Sequence, residues 1–240
     1  MLSLLEKDIN VGVLISKNPN FIFIHIPKNG GSYFYKNIIK NHRRSYKFFF
    51  QKFCKYSFDT HVTLSELEET GQLDKFYGYQ KSNINVLAIV RNPWARFWSL
   101  YKFRLKNAKK RIELRKQNKP VKNGTSDFID RKIVSDMERT DFSTWLLTEA
   151  NTPTYPDGKN FQTRDQVSYC ENKTSYPVRW ILYEDFPRFS KQINEITKTK
   201  LVWNFNNYSS NDYRKYYSDE ARKLVEKNFA RDIDKFNYSF

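Results

Sequence analysis

Cysteine is scarce in this chain: 240 residues contain two, Cys54 and Cys170, with no CxxC pair and no Cys/His cluster. That argues against a disulfide framework and against a structural zinc site. Long apolar runs are missing too, and nothing reaches the roughly 18 residues that a membrane-spanning helix needs. The opening MLSLLEKDINVGVLISK carries acids where a secretory leader has a basic start, so a cytoplasmic location is expected. Histidine is limited to His25, His42 and His61, which leaves few side chains that exchange protons near neutral pH. Acids are outnumbered, 26 against 42 Lys and Arg, for a net charge of +16. Such an excess favours anionic ligands: nucleotides, nucleic acid, acidic polysaccharide or a membrane surface. The length suits one domain spanning residues 1–240.

The most informative segment is FIFIHIPKNGGS, Phe21 to Ser32. Its apolar run, broken only by His25, predicts a strand over 21–26 buried on both faces, as in a parallel sheet. A helix with Phe34, Tyr35 and Ile38 at helical spacing is expected from about Ser32 to His42. Between them Lys28 and the glycines Gly30 and Gly31 lie where helix N–H groups have no intrahelical partner. Strand, glycine loop, lysine and helix start together form an anion cradle, with an ordinary strand-to-helix turn as the plainer alternative. A second buried strand is expected over Ile84–Val90, followed by a helix with Pro93 at its first position. Trp94, Phe97, Trp98, Tyr101 and Leu105 make its apolar stripe, which leaves Arg91 and Ser99 unexplained by packing. From Lys102 to Lys122 there are ten basic residues against one acid, Glu113. Residues 102–140 are accordingly read as a basic insertion or lid. A short helix over Asp141–Ala150, a loop over Asn151–Gly158, a third buried strand over Val178–Tyr183 and a last helix over Ser218–Phe236 complete the outline. Strands alternating with helices predict an α/β fold with a mainly parallel central sheet, whose ligands bind beyond the carboxyl ends of strands.

A nucleoside-triphosphate cradle requires GxxxxGK[ST], and here the lysine precedes the glycines. PKNGGS after one strand and RNPWARFWSLY after another instead resemble the two signatures of 3′-phosphoadenosine 5′-phosphosulfate (PAPS)-dependent sulfotransferases. The similarity is to the carbohydrate branch that includes heparan sulfate 2-O-sulfotransferase and many bacterial relatives. It extends to HVTLSEL at His61, FQT at Gln162, ILYEDF at the third strand and the tail from DYRKYYSDEARK onward. The resemblance implies a P-loop-like three-layer fold and sulfuryl transfer from PAPS, as co-substrate without a metal, to a hydroxyl of an acceptor glycan or other compound. It implies that Lys28, Asn29, Gly30, Gly31 and Ser32 hold the 5′-phosphosulfate, and that Arg91 and Ser99 hold the 3′-phosphate, with Asn206 as a further contact. His61 matches the catalytic base, and Gln162, Thr163 and Arg164 fall on the acceptor side. Three departures stand out: Asn29 and Ser32 replace threonines, Ala95 replaces an aspartate, and the stretch around Asn206 lacks a nearby basic residue.

Sulfuryl transfer goes through a loose in-line transition state, so positioning and fixed positive charge carry most of the catalysis, and Lys28 suits that task. Of the histidines, His25 falls inside the expected strand, His42 at a helix end, and His61 at the start of HVTLSEL. Glu184 is a further candidate base. A P-loop nucleotide kinase is the enzymatic rival, and a non-enzymatic nucleic-acid-binding protein the rival from another class. Neither carries its defining motif here, so no nucleic-acid partner is expected.

Overall fold

A computed structural model describes residues 13–17, 19–41, 61–69, 71–77, 84–121, 126–150, 164–171, 176–200 and 213–240. The expected 151–158 loop, His42, Cys54, Gln162, Thr163 and Asn206 lie outside the described residues. The chain divides into two compact units, one made of Met1–Arg91 and Asp165–Tyr208, the other of Asn92–Arg164 and Ser209–Phe240.

The first unit holds a four-stranded sheet in the order β1-β2-β3-β4: Leu14–Lys17, Asn20–Ile24, Asn85–Val90 and Val178–Leu182. β2, β3 and β4 run parallel, with Phe23 opposite Leu87 and Ile89 opposite Ile181. β1 is an antiparallel edge strand, Leu14 facing Phe23. The period-2 alternation of a strand sends Phe21, Phe23, Leu87, Ile89 and Ile181 to one face. There they meet Phe34, Tyr35 and Ile38 of helix α1 (Gly31–Asn41) and Phe186 and Ile193 of helix α7 (Phe186–Thr197). The opposite positions of β2 and β3, Ile22, Ile24, Val86, Ala88 and Val90, are buried as well, which is why these strands read as unbroken apolar runs. β4 departs from the expected buried strand. Only Ile181 is fully buried and Arg179 is exposed, as befits the last strand of a sheet. Two short helices, α2 (Leu64–Glu69) and α3 (Gln72–Tyr77), lie between α1 and β3 in sequence. Tyr77 ties α3 to the sheet, its hydroxyl reaching the carbonyls of Ser16 at 2.8 Å and Phe21 at 2.9 Å.

The second unit is helical. Helix α4 spans Pro93–Lys116, with Pro93 at its first turn and the Asn92 side chain accepting from the N–H groups of Trp94 and Ala95. Helices α5 (Asp127–Arg139), α6 (Phe142–Ala150), α8 (Asp219–Asn228) and α9 (Ala230–Phe236) follow. The expected stripe is core: Trp94, Phe97 and Leu100 pack with Phe142, Leu146, Ala221, Val225 and Phe229. Ala95 and Arg96 are buried too, and Arg96 Nη1 donates to the Arg164 carbonyl at 2.9 Å. The expected final helix is broken in two at Phe229. That residue turns inward to an edge-to-face contact with Phe97, ring centroids 5.3 Å apart.

Among the described residues the 102–140 segment consists of the greater part of α4 followed by α5. Its arginines are partly turned inward. Arg111 grips the fully buried Asp130 through Nε at 2.9 Å and Nη2 at 2.5 Å, and Arg115 Nη1 reaches the other carboxylate oxygen at 2.6 Å.

Candidate active site

Because β2 and β3 are parallel neighbours, the loops leaving their carboxyl ends lie side by side. The first is His25–Gly30. Lys28 and Gly30 both take positive φ, 68° and 83°. For glycine that is ordinary, but for lysine the left-handed region costs about 1–3 kcal/mol, the kind of strain that functional loops retain. The Gly30 carbonyl accepts from the N–H groups of Tyr33 and Phe34, closing the first turn of α1. The amides preceding them are those a helix start leaves without an intrahelical partner, and they carry its partial positive charge. Ser32 is exposed on that turn. Gly31 is required for a separate reason. A Cβ there would overlap the His25 ring, Cδ2 first and Nε2 at 2.6 Å.

The second loop begins at Arg91. Its guanidinium lies 4.3 Å over the ring of Tyr183, the residue following β4, and its Nη1 donates to the Lys28 carbonyl at 3.2 Å. Arg91 Nε is buried, and its N–H finds no acceptor among the described residues. Burial of the Lys28 ammonium, reinforced by the nearby Arg91 charge, lowers its pKa from 10.5 to about 7. Both causes act in the same direction, since burial and a neighbouring like charge each disfavour the ammonium.

The Asn29 side chain, fully buried, points into the protein and donates from Nδ2 to the Ile89 carbonyl at 2.8 Å and to Gln166 Oε1 at 2.6 Å, which leaves its backbone N–H as the group the resemblance assigns to the donor. Gln166 in turn accepts from the Arg91 N–H at 2.8 Å and donates from Nε2 to the Arg91 carbonyl at 2.8 Å. Sequence reasoning missed Gln166 and named its neighbours Gln162, Thr163 and Arg164 instead. No local pattern marks it, since its partners are 75 and 137 residues away.

His61 precedes α2, and its Nδ1 lies 2.9 Å from the His25 carbonyl, with ring centroids of the two histidines 4.7 Å apart. A carbonyl only accepts, so in the neutral ring Nδ1 carries the hydrogen and Nε2 the lone pair. The following turn is rigid. Thr63 and Glu66 form a reciprocal capping box, Thr63 N to Glu66 Oε2 at 2.8 Å and Glu66 N to Thr63 Oγ1 at 3.1 Å. Ser65 Oγ donates to the Glu171 carbonyl at 2.7 Å, joining α2 to the stretch after Gln166. His25 itself lies just past β2, buried, rather than inside the strand. Glu184, the other candidate base, is exposed.

The structure thus brings Lys28, Asn29, Gly30, Gly31, Ser32, Arg91 and His61 into one unit. Ser99 is half-buried on α4, and it and Arg164 belong to the second unit. Among the described residues no three His, Cys, Asp or Glu side chains gather as a metal site, and no helix is long and apolar enough to cross a membrane.

A strand, a lysine-bearing glycine turn, a helix start and an arginine beyond the adjacent parallel strand thus gather cationic groups at one end of the sheet. The sulfotransferase family profile matches residues 11–239, and the chain belongs to that family. No curated protein and no solved structure matches it.

Proposed function

We propose that the chain is a PAPS-dependent sulfotransferase with a P-loop-like fold, acting as one catalytic domain on a carbohydrate hydroxyl. The observation that carries this is the juxtaposition of Lys28 and Arg91 beyond adjacent parallel strands, two cations whose closeness and burial depress the lysine. A donor with phosphates at both ends of one ribose supplies the anions. The buried Nε–H of Arg91 and the first amides of α1 are suited to phosphate oxygens. In the transfer, the acceptor oxygen forms a bond to sulfur as the bond from sulfur to the 5′-phosphate oxygen breaks. His61 Nε2 takes the acceptor proton, and Lys28 neutralises the charge appearing on the phosphate. Ser99 and Asn206 toward the donor, and Gln162, Thr163 and Arg164 toward the acceptor, keep the roles the family resemblance implies.

An acidic glycan is the acceptor class that fits the charge. Arg111 and Arg115 face Asp130, but Lys106 and Lys110, one turn apart on α4, are exposed. The decisive experiment is transfer of labelled sulfate from PAPS to a panel of glycans. Lys28→Ala is expected to lower turnover roughly 100-fold, the size of losing one fixed donor in such a site. His61→Ala should keep donor binding and lose transfer. A wild-type protein stabilised by magnesium-ATP and indifferent to PAPS would overturn the reading.

A further inference from the structure

We infer that Gln166, acting with Asn29, is a positioning residue that sets the spacing between the Lys28 loop and Arg91, so that the two cations bind one bisphosphate as a unit. The inference rests on the donor reading above and adds the device that keeps the two phosphate positions in register. The hydrogen bonds orient both amides without ambiguity. The Arg91 N–H demands an acceptor, which fixes Gln166 Oε1, and the Arg91 carbonyl demands a donor, which fixes Nε2. Gln166 Oε1 and the Ile89 carbonyl then both require donors from Asn29, which is met only by Nδ2. One carboxamide therefore holds both backbone groups of Arg91, much as a neighbouring strand would.

The linkage closes on itself. Asn29 is bonded to Lys28, and the Lys28 carbonyl accepts from Arg91 Nη1. Any change in the distance between the loops must break a bond of this ring. Gln166 and Asn29 are both 0% exposed, so water is not at hand to replace a broken bond. The Asn29 Oδ1 atom is buried and accepts no hydrogen bond among the described residues, a cost that a network serving stability alone has no reason to retain. Loops held at a fixed separation before the ligand arrives bind a two-headed ligand with less loss of freedom on binding.

The test is calorimetric titration of the full chain with three probes: adenosine 3′,5′-bisphosphate, adenosine 5′-phosphate and adenosine 3′-phosphate. Gln166→Met keeps the side-chain volume and removes all three hydrogen bonds. It is expected to weaken the bisphosphate roughly tenfold or more, while each monophosphate changes by less than about threefold, because only the two-point ligand senses the spacing. Should that variant fail to fold, Asn29→Ala cuts one arm of the ring and is expected to show the same selective pattern at smaller size. Equal weakening of all three probes, or an unchanged bisphosphate affinity, would overturn the role of Gln166. Wild-type protein that binds none of the probes would instead overturn the donor reading beneath it.

Discussion

At the scale of single residues, Lys28 makes the protein sensitive to pH in two opposite ways. Folding lowers its pKa from 10.5 to about 7, so between those values the unfolded chain holds a proton that the folded chain lacks. Stability contributed by this group therefore rises with pH across that window, and the penalty for the buried charge is fully present below about 7. Phosphate binding needs the ammonium, so donor affinity runs the other way and falls as pH climbs past about 7. Denaturant melts and donor titrations from about pH 6 to 9 check both trends, and Lys28→Met should flatten both. A donor affinity that does not change over that range would remove Lys28 from the phosphate contact. Gly31 offers a second check. Gly31→Ala must displace the His25 ring, which lies against the His61 ring with centroids 4.7 Å apart. Turnover should fall more than donor affinity, as separate kinetic and binding assays would show.

Among the elements, the α4–α5 pair is joined at its most buried point by the Asp130 carboxylate. Removing it leaves Arg111 and Arg115, 20% and 24% exposed, without their buried counter-charge, with Asp127 near Arg115 at 3.6 Å. Asp130→Ala is expected to destabilise by about 3 kcal/mol, at the lower end for a broken buried pair because the arginines keep some solvent. Urea unfolding measures it. Strands and helices around the Lys28 and Arg91 loops were legible in the sequence within a residue or two, because β2, β3 and α1 have regular apolar periods and glycine or proline at their ends. The misses share a physical cause. β1 is four residues, too short for a period to register, and α7 begins within residues read only as a strand end. The break at Phe229 arises from a tertiary contact that helical spacing cannot show. Gln166 and the inward turn of Asn29 likewise depend on partners far away in the chain.

For the molecule as a whole, the division into two units could not be read from the sequence, since each unit is assembled from two separated stretches of chain. The net charge of +16 was plain from the start, and it sets an expectation of its own. Attraction between exposed charges is screened within about 8–10 Å near physiological salt. Affinity for an acidic glycan should therefore drop steeply as salt rises from about 0.05 to 0.3 M, whereas a neutral oligosaccharide of equal length should show little change. Equal salt dependence for the two would point away from a polyanionic acceptor. Arg179 is exposed on β4, which has a neighbouring strand on one side only among the described residues. A second copy adding its own strand along that rim would have to strip water from a guanidinium, so end-to-end growth of the sheet into fibres is opposed at its first step.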